Sequence, residues 1–191
     1  MKSDFYSENE LRELGLKSFG KNVFISRKCS IYGAENISIG NNVRIDDFCV
    51  LSGHITISNY IHISAGTMLF AGDSGIELHD FSGISSRCAV YAISDDYSGI
   101  ALTNPTVPEQ YRKIQSGKVV LEKYCQVGSG STILPGVTIR EGTAIGAMSF
   151  LTKSTEAWKI YCGIPAKILK GRKKKLLELE EKFSQSFLHD F

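Results

Sequence analysis

Along residues 119–154 the aliphatic positions return every six residues without a slip. In hexads the segment reads VVLEKY, CQVGSG, STILPG, VTIREG, TAIGAM and SFLTKS. The third positions are Leu121, Val127, Ile133, Ile139, Ile145 and Leu151; the first positions are smaller or β-branched: Val119, Cys125, Ser131, Val137, Thr143 and Ser149. Residues two apart point to the same side of a strand, so each hexad presents a pair of side chains inward. The remainder of each hexad is mostly glycine or polar, which suits a turn. A short strand and a turn repeated at a fixed period predict a solenoid rather than a globular sheet.

The same period runs through the earlier chain with three interruptions. It begins near Val23 and Cys29, with Ile25 and Ile31 as third positions, and two extra residues widen the turn around Gly33-Ala34-Glu35. From Ile37 to Leu69 it is strict; Ala71-Gly72-Asp73-Ser74-Gly75 then inserts three residues, and the count resumes with Ile76/Leu78, Ser82/Ile84 and Cys88/Val90. After Ile93 the pattern stops for 25 residues, 94–118, and returns at Val119. That stretch has two prolines, two tyrosines and no period, and long irregular loops inside compact domains are usually functional. Within a single domain spanning 1–191, coils are therefore expected over 23–93 and 119–154.

Both ends read as helical. Ser7-Glu8-Asn9-Glu10 is a capping box followed by Leu11, Leu14 and Leu16, predicting a helix over 7–18 that plugs the open end of the coil. Residues 172–188 place Leu176, Leu179, Phe183 and Phe187 on one seam, predicting a helix packed on the coil or on a neighbouring subunit.

Ile39-Gly40-Asn41-Asn42-Val43-Arg44, Val127-Gly128-Ser129-Gly130-Ser131-Thr132 and Ile145-Gly146-Ala147-Met148-Ser149-Phe150 resemble the hexapeptide repeat of the left-handed parallel β-helix acyltransferases. The resemblance covers roughly residues 23–170. It implies an all-β solenoid, a left-handed parallel β-helix in which three hexads make one coil and positions 18 apart stack. Ile39 should lie on Ile57, Ile45 on Ile63, Leu51 on Leu69, Ile37 on Ile55 and Ser131 on Ser149. The segment Trp158–Lys167 is similar to the stretch that closes the coil in sugar and small-molecule acetyltransferases. In this family a loop commonly leaves the coil near residue 94 and frames the active site against a neighbouring subunit, so a homotrimer is expected.

Composition adds constraints. The net charge of +2 implies no strong attraction to nucleic acid. No apolar run approaches the ~18–20 residues needed to span a membrane, and Glu8, Glu10 and Glu13 argue against a signal peptide. Cys29, Cys49, Cys88 and Cys125 fall on first-hexad positions and read as small buried thiols, consistent with a cytoplasmic location.

The resemblance implies acyl transfer from a coenzyme A thioester, with acetyl-CoA or another acyl-CoA as co-substrate and no metal. Matched to the galactoside and maltose acetyltransferases, Ser129, Ala147, Thr152 and Lys153 would follow the pantetheine arm, and Lys167 and Lys170 would reach the phosphates, as flexible ammonium groups can. Against this, Gly128 and Gly146 are also what turn geometry alone requires, and Lys170–Lys175 also reads as a solvated basic run. Those relatives place a catalytic histidine where this chain has Asp95, and no histidine occurs between His79 and His189. His62 directly follows Ile61, points out of the coil and is the alternative base; equally, it reads as a surface histidine. Asp95, Asp96, Tyr97 and Asn104 suit sugar hydroxyls or a cationic amine, with turn-capping as the plain alternative for the acidic pair. Relatives that acylate nucleotide-linked 4-amino sugars look similar in coil, loop and acidic pair, and a neutral amine needs little activation before attack.

The expected function is therefore acyl-CoA-dependent transfer, of acetyl in the simplest case, to a hydroxyl or amine of a sugar or nucleotide-linked sugar, with His62 and Asp95 as catalytic candidates. The rivals are a non-catalytic β-helix scaffold and a zinc carbonic anhydrase of the same coil. The latter suffers because His54, His62 and His79 occupy different hexad positions.

Overall fold

The computed structural model describes residues 4–186. They form a parallel β-solenoid of about seven turns, flanked by a short helix at each end. Pairing follows the period. Ile37 aligns with Ile55, Ile39 with Ile57, Ile45 with Ile63 and Leu51 with Leu69. The Ser149 backbone N–H donates to the Ser131 hydroxyl at 3.2 Å, so that column also stacks. In the first coil the spacing is 20, Val23 pairing with Val43 and Ile31 with Leu51, because a 3-10 turn at Ala34–Asn36 takes up two residues. The insertion at 71–75 lifts the spacing from 18, Leu51 to Leu69, to 21, Ile57 to Leu78.

The core is a set of columns along the axis. Ile25, Ile45, Ile63, Ile84, Val127 and Ile145 form one, all at most 3% exposed. Burying each such side chain contributes about 1.5–3 kcal/mol. First-hexad positions are small because the turns aim carbonyls inward. Thr67 Oγ1 donates to the Ser85 carbonyl at 3.1 Å, Ser149 Oγ to that of Gly146 at 2.7 Å, and Cys88 Sγ to that of Gly128 at 3.2 Å. A buried carbonyl must be paired, and a short hydroxyl or thiol does it without filling the core. All five cysteines are unpaired, and burial pushes the Cys29 and Cys125 thiols up to about 12, where they are inert.

One corner of the coil is a ladder of left-handed residues: Asn42, Tyr60, Phe81, Tyr124, Gly142 and Trp158, all with φ between 56° and 65°. Four are aromatic. Ring centroids are 4.8 Å apart for Tyr60–Phe81, 5.9 Å for Phe81–Tyr124 and 6.0 Å for Tyr124–Trp158. The contact of each ring with the next offsets backbone strain of order 1 kcal/mol or more per residue.

The ends differ from the sequence expectation in length. The N-terminal helix, α1, spans only Glu8–Glu13; its capping box is present, but Gly15 at φ 72° ends it, and Ser18–Phe19 already pairs with Ser38–Ile39. Leu11 is buried beneath it. The C-terminal helix, α2, spans Leu176–Ser186 and starts four residues late, because Arg172 donates from Nη1 to the carbonyls of Tyr124 and Gly142. Phe183 meets Tyr60 edge-on and the Tyr124 hydroxyl donates to Glu180, so α2 lies along the aromatic corner. Phe187 lies outside the described residues. The coil also runs one rung beyond residue 154: Lys159–Cys162 pairs in parallel with Ala144–Ile145 before Lys167–Gly171 turns back antiparallel across it.

The excursion between Ile93 and Val119 is inserted between rungs. Val90 pairs with Ile133 and Leu121 with Leu78, each 43 positions apart, 25 more than the usual 18. It is not wholly irregular, since Ile93–Asp95 pairs antiparallel with Ile114–Ser116. No helix among the described residues is long and apolar enough to cross a membrane.

Candidate active site

The two-stranded ribbon carries Asp95 and Asp96 out from the coil, and alternation along it sends them to opposite sides. Asp96 is buried: it accepts from the Ser98 hydroxyl at 2.6 Å, the Ser98 N–H at 3.2 Å and Gln115 Nε2 at 3.3 Å. The Ser98 hydroxyl holds its carboxyl below the usual range, and Gln115, the Ser98 N–H and Lys113 add to this. Asp96 therefore braces the excursion. Asp95 is half-buried and, among the described residues, its carboxylate accepts only the Asn104 backbone N–H, through Oδ2 at 3.2 Å, leaving its second oxygen available. The Asn104 side chain turns back to the Thr106 N–H, while Tyr97 is 88% exposed.

His62 occupies another face of the coil. It is exposed, as alternation requires, and its Nε2 lies 2.7 Å from Asp46 Oδ2, while Arg44 Nε donates to Asp46 Oδ1 at 2.7 Å. Although burial opposes it, the bonds from Arg44 and His62 keep the Asp46 carboxyl below its ordinary range. On the next rung Gly83 aligns with His62, and beyond it Gln126 donates from Nε2 to Ser85 Oγ at 3.4 Å. Arg44, Asp46, His62, Ser85 and Gln126 thus make one polar patch, of which only His62 is evident from the sequence. His54 and His79 have other neighbours: the Gly72 carbonyl 3.1 Å from Nδ1, and Glu77 at 3.8 Å.

A cleft of about 320 Å³ opens between the last rung and the antiparallel strand that closes the coil, lined by Thr152, Lys153, Tyr161, Pro165 and Lys167 among others. Three of the residues expected at the acyl donor are brought together there. Ser129 and Ala147 sit on stacked turns 18 apart, where the Met148 N–H donates to the Ser129 carbonyl at 2.8 Å. A side chain at Gly128 would come within 2.5 Å of the Ala147 nitrogen, so glycine is required for the turns to approach. Lys170 pairs with Ile160 on the closing strand and is exposed, away from the cleft lining.

The cleft at the end of the coil, the His62 patch and the acidic excursion are built from different elements of one subunit. Asp95 and His62 share no partner: one bonds the excursion, the other Asp46 on a different sheet.

No protein-family model matches the chain. It is 47% identical over 189 residues to the dTDP-4-amino-4,6-dideoxy-D-glucose acyltransferase of Escherichia coli, covering 97% of this chain and 98% of that one. Among solved structures, AntD, an N-acyltransferase from Bacillus cereus, matches with a TM-score of 0.95 at 52% identity over 97% of this chain and 100% of its own, in complex with dTDP-4-amino-4,6-dideoxyglucose and coenzyme A. A second AntD structure, 53% identical with a TM-score of 0.95 over 97% and 99% of the two chains, holds dTDP and 3-hydroxybutyryl-CoA. AntD has also been studied with substitutions at a serine and at an aspartate ten positions further on. The hexad coil, the acidic excursion between rungs and a full-length relative at this identity lead to one assignment: the chain is an enzyme of the hexapeptide-repeat β-helix acyltransferases and belongs to the family of nucleotide-linked amino-sugar N-acyltransferases.

Proposed function

We propose that the enzyme transfers an acyl group from acyl-CoA to the 4-amine of a dTDP-linked 4-amino-4,6-dideoxyglucose. The observation that carries this reading is Asp95: a carboxylate with one oxygen uncommitted, on an excursion without a histidine, suits an amine better than an alcohol. The neutral amine nitrogen attacks the thioester carbonyl, the C–S bond breaks, and coenzyme A leaves as the thiol. Asp95 holds the amine, receives the proton that the nitrogen sheds and passes it to the departing sulfur, which restores the carboxylate. Lys153, Lys167 and Thr152 would hold the donor in the cleft at the end of the coil, with Ser129 and Ala147 along its arm and Lys170 as an outlying cation near the phosphates. Asp96, Tyr97 and Asn104 frame the acceptor, Asp96 as a brace.

The serine and aspartate varied in AntD are ten apart, as are Ser85 and Asp95 here; Ser86 and Asp96 share the spacing, but Asp96 is already satisfied internally. Ser85 belongs to the His62 patch and Asp95 to the excursion. A site using both requires the excursion of one subunit to face the patch of another, which supports a homotrimer with three equivalent sites. Light scattering is expected to give a trimer; an active monomer at micromolar concentration would remove this arrangement. The acyl group is acetyl or a short relative, since AntD accommodates 3-hydroxybutyryl-CoA. The location is cytoplasmic, in keeping with five unpaired thiols.

The test is thiol release from acetyl-CoA with dTDP-4-amino-4,6-dideoxyglucose against the same nucleotide sugar bearing a 4-hydroxyl. Turnover of the amine alone is expected, and preference for the hydroxyl would refute the proposal.

A further inference from the structure

The excursion contains a second feature that the acyl transfer itself does not use. An open pocket of about 440 Å³ lies on its surface, lined by Gly99, Leu102, Tyr111 and Arg112 among others. Arg112 is fixed there by main-chain bonds: its N–H donates to the Glu109 carbonyl at 3.0 Å, and the Leu102 N–H donates to the Tyr111 carbonyl at 2.9 Å. Its side chain makes no ion pair or hydrogen bond with another described residue, and its Nε is buried with no hydrogen-bond partner. Native structures leave few buried polar atoms of this kind without a partner, although Arg112 as a whole is only half-buried. The other charges of the excursion are partnered only in part, Lys118 donating to Glu77 at 2.6 Å. Asp96 is bonded to Ser98 and Gln115, Asp95 to Asn104, and neither Glu109 nor Lys113 forms an ion pair among the described residues.

The position of Arg112 relative to Asp95 is informative. Leu102 pairs with Arg112, and Asn104, two residues on, donates its N–H to Asp95. The excursion therefore carries both an Arg112 side chain without a partner among the described residues and an Asp95 carboxylate with a free oxygen, on segments tied to each other through Leu102–Asn104. In a nucleotide-linked 4-amino sugar the amine and the anomeric diphosphate stand at opposite ends of one pyranose ring, with charges of matching sense. Arginine suits diphosphate because its planar fork can donate two parallel bonds. The adjacent Tyr111, 55% exposed, offers a ring face to a base or sugar.

We infer that Arg112 and the pocket it lines bind the nucleoside diphosphate of the acceptor, so that this excursion holds the acceptor by both ends. The inference rests on the proposed nucleotide-sugar substrate. Coenzyme A also carries a diphosphate, so the two ligands are titrated separately, by calorimetry on the full-length protein, with dTDP and with coenzyme A as probes. Arg112→Ala is expected to weaken dTDP binding about 10- to 100-fold, the range for a lost charged hydrogen bond, and to leave coenzyme A binding unchanged. Arg112→Lys should recover part of the loss, because it keeps the charge and loses the fork. Unchanged coenzyme A affinity also reports that the variant is folded, and the Leu102–Arg112 pairing, being main-chain, survives either substitution. Wild-type dTDP affinity in Arg112→Ala overturns the inference and leaves the substrate reading standing. Weakened coenzyme A binding with intact dTDP binding assigns the pocket to the donor and also overturns it. No dTDP binding by the wild-type protein would sink the substrate reading itself.

Discussion

Replacing Asp95 by asparagine tests the chemistry most directly. One carboxylate oxygen accepts the Asn104 N–H at 3.2 Å, and the amide oxygen of asparagine can do the same. The NH2 group then falls where the second oxygen was, and offers a donor to an amine that needs an acceptor. The loss is one charge-assisted hydrogen bond, about 1.5–3 kcal/mol. At about 1.4 kcal/mol per decade that is a 10- to 100-fold fall in kcat/KM for the amino sugar. The larger losses seen when a general base is removed, up to about 10⁴-fold, are not expected, since a neutral amine attacks unaided. KM for acyl-CoA should not move, because the cleft proposed for the donor is lined by Thr152, Lys153 and Lys167 at the end of the coil. His62→Ala in the same assay should cost less than about 10-fold, as expected of a residue that orients rather than activates. The assay is continuous detection of coenzyme A thiol with each substrate varied in turn. A fully active Asp95→Asn beside a His62→Ala variant slowed about 100-fold or more would refute the reasoning and make the histidine the base.

Three further outcomes are expected. Lys153→Ala or Lys167→Ala should raise KM for acyl-CoA about 3- to 10-fold with kcat little changed, because the phosphates are remote from the reacting carbonyl; unchanged KM in both would detach the cleft from the donor. Gly142→Ala should be destabilised by about 1–3 kcal/mol, lowering Tm by roughly 2–4 °C per kcal/mol, since its φ is 65° and a Cβ would lie 2.4 Å from Trp158 Cδ2; an unchanged Tm in calorimetry contradicts this. Glu10 is lowered from 4.5 to about 2, first by the hydrogen bond from Arg27 and then by those from Ser7. A depressed carboxylate stabilises the fold above its unfolded pKa and loses that contribution as pH falls through the folded value. The urea midpoint of the wild-type protein should therefore fall more steeply from about pH 4.5 toward 2 than that of Glu10→Gln, and parallel curves would dismiss the α1 clamp.

Much of the coil was legible because its stacking is one-dimensional. Once the period is known, Ile39 over Ile57 and Leu51 over Leu69 follow by counting, and the insertions at 34–36 and 71–75 appear as slips in the count. Helix lengths were less legible: a single left-handed glycine, Gly15, and a single arginine, Arg172, set them, against apolar seams that ran further. The aromatic corner was hidden because Tyr60, Phe81, Tyr124 and Trp158 have no constant spacing: insertions lengthen the first two intervals, and the third skips the rung of Gly142. Asp95 and Asp96 look equivalent as neighbours in sequence, and only the packing of Ser98 and Gln115 separates the brace from the available carboxylate. Asp46 and Ser85 join His62 through register alone, and Arg112 stands in a stretch with no period to flag it.

The base of the excursion has a consequence for how such enzymes diversify. The Gly117 N–H donates to the Ala92 carbonyl at 2.9 Å, so the chain leaves and re-enters the coil at adjoining points, and the rungs on either side stay in register. The coil is indifferent to what lies between those two residues. If the proposed acceptor site lies on this hairpin, it can be exchanged between relatives without disturbing the rungs that flank it. A chimaera carrying a relative's residues 93–116 should inherit that relative's sugar preference and retain its own thioester.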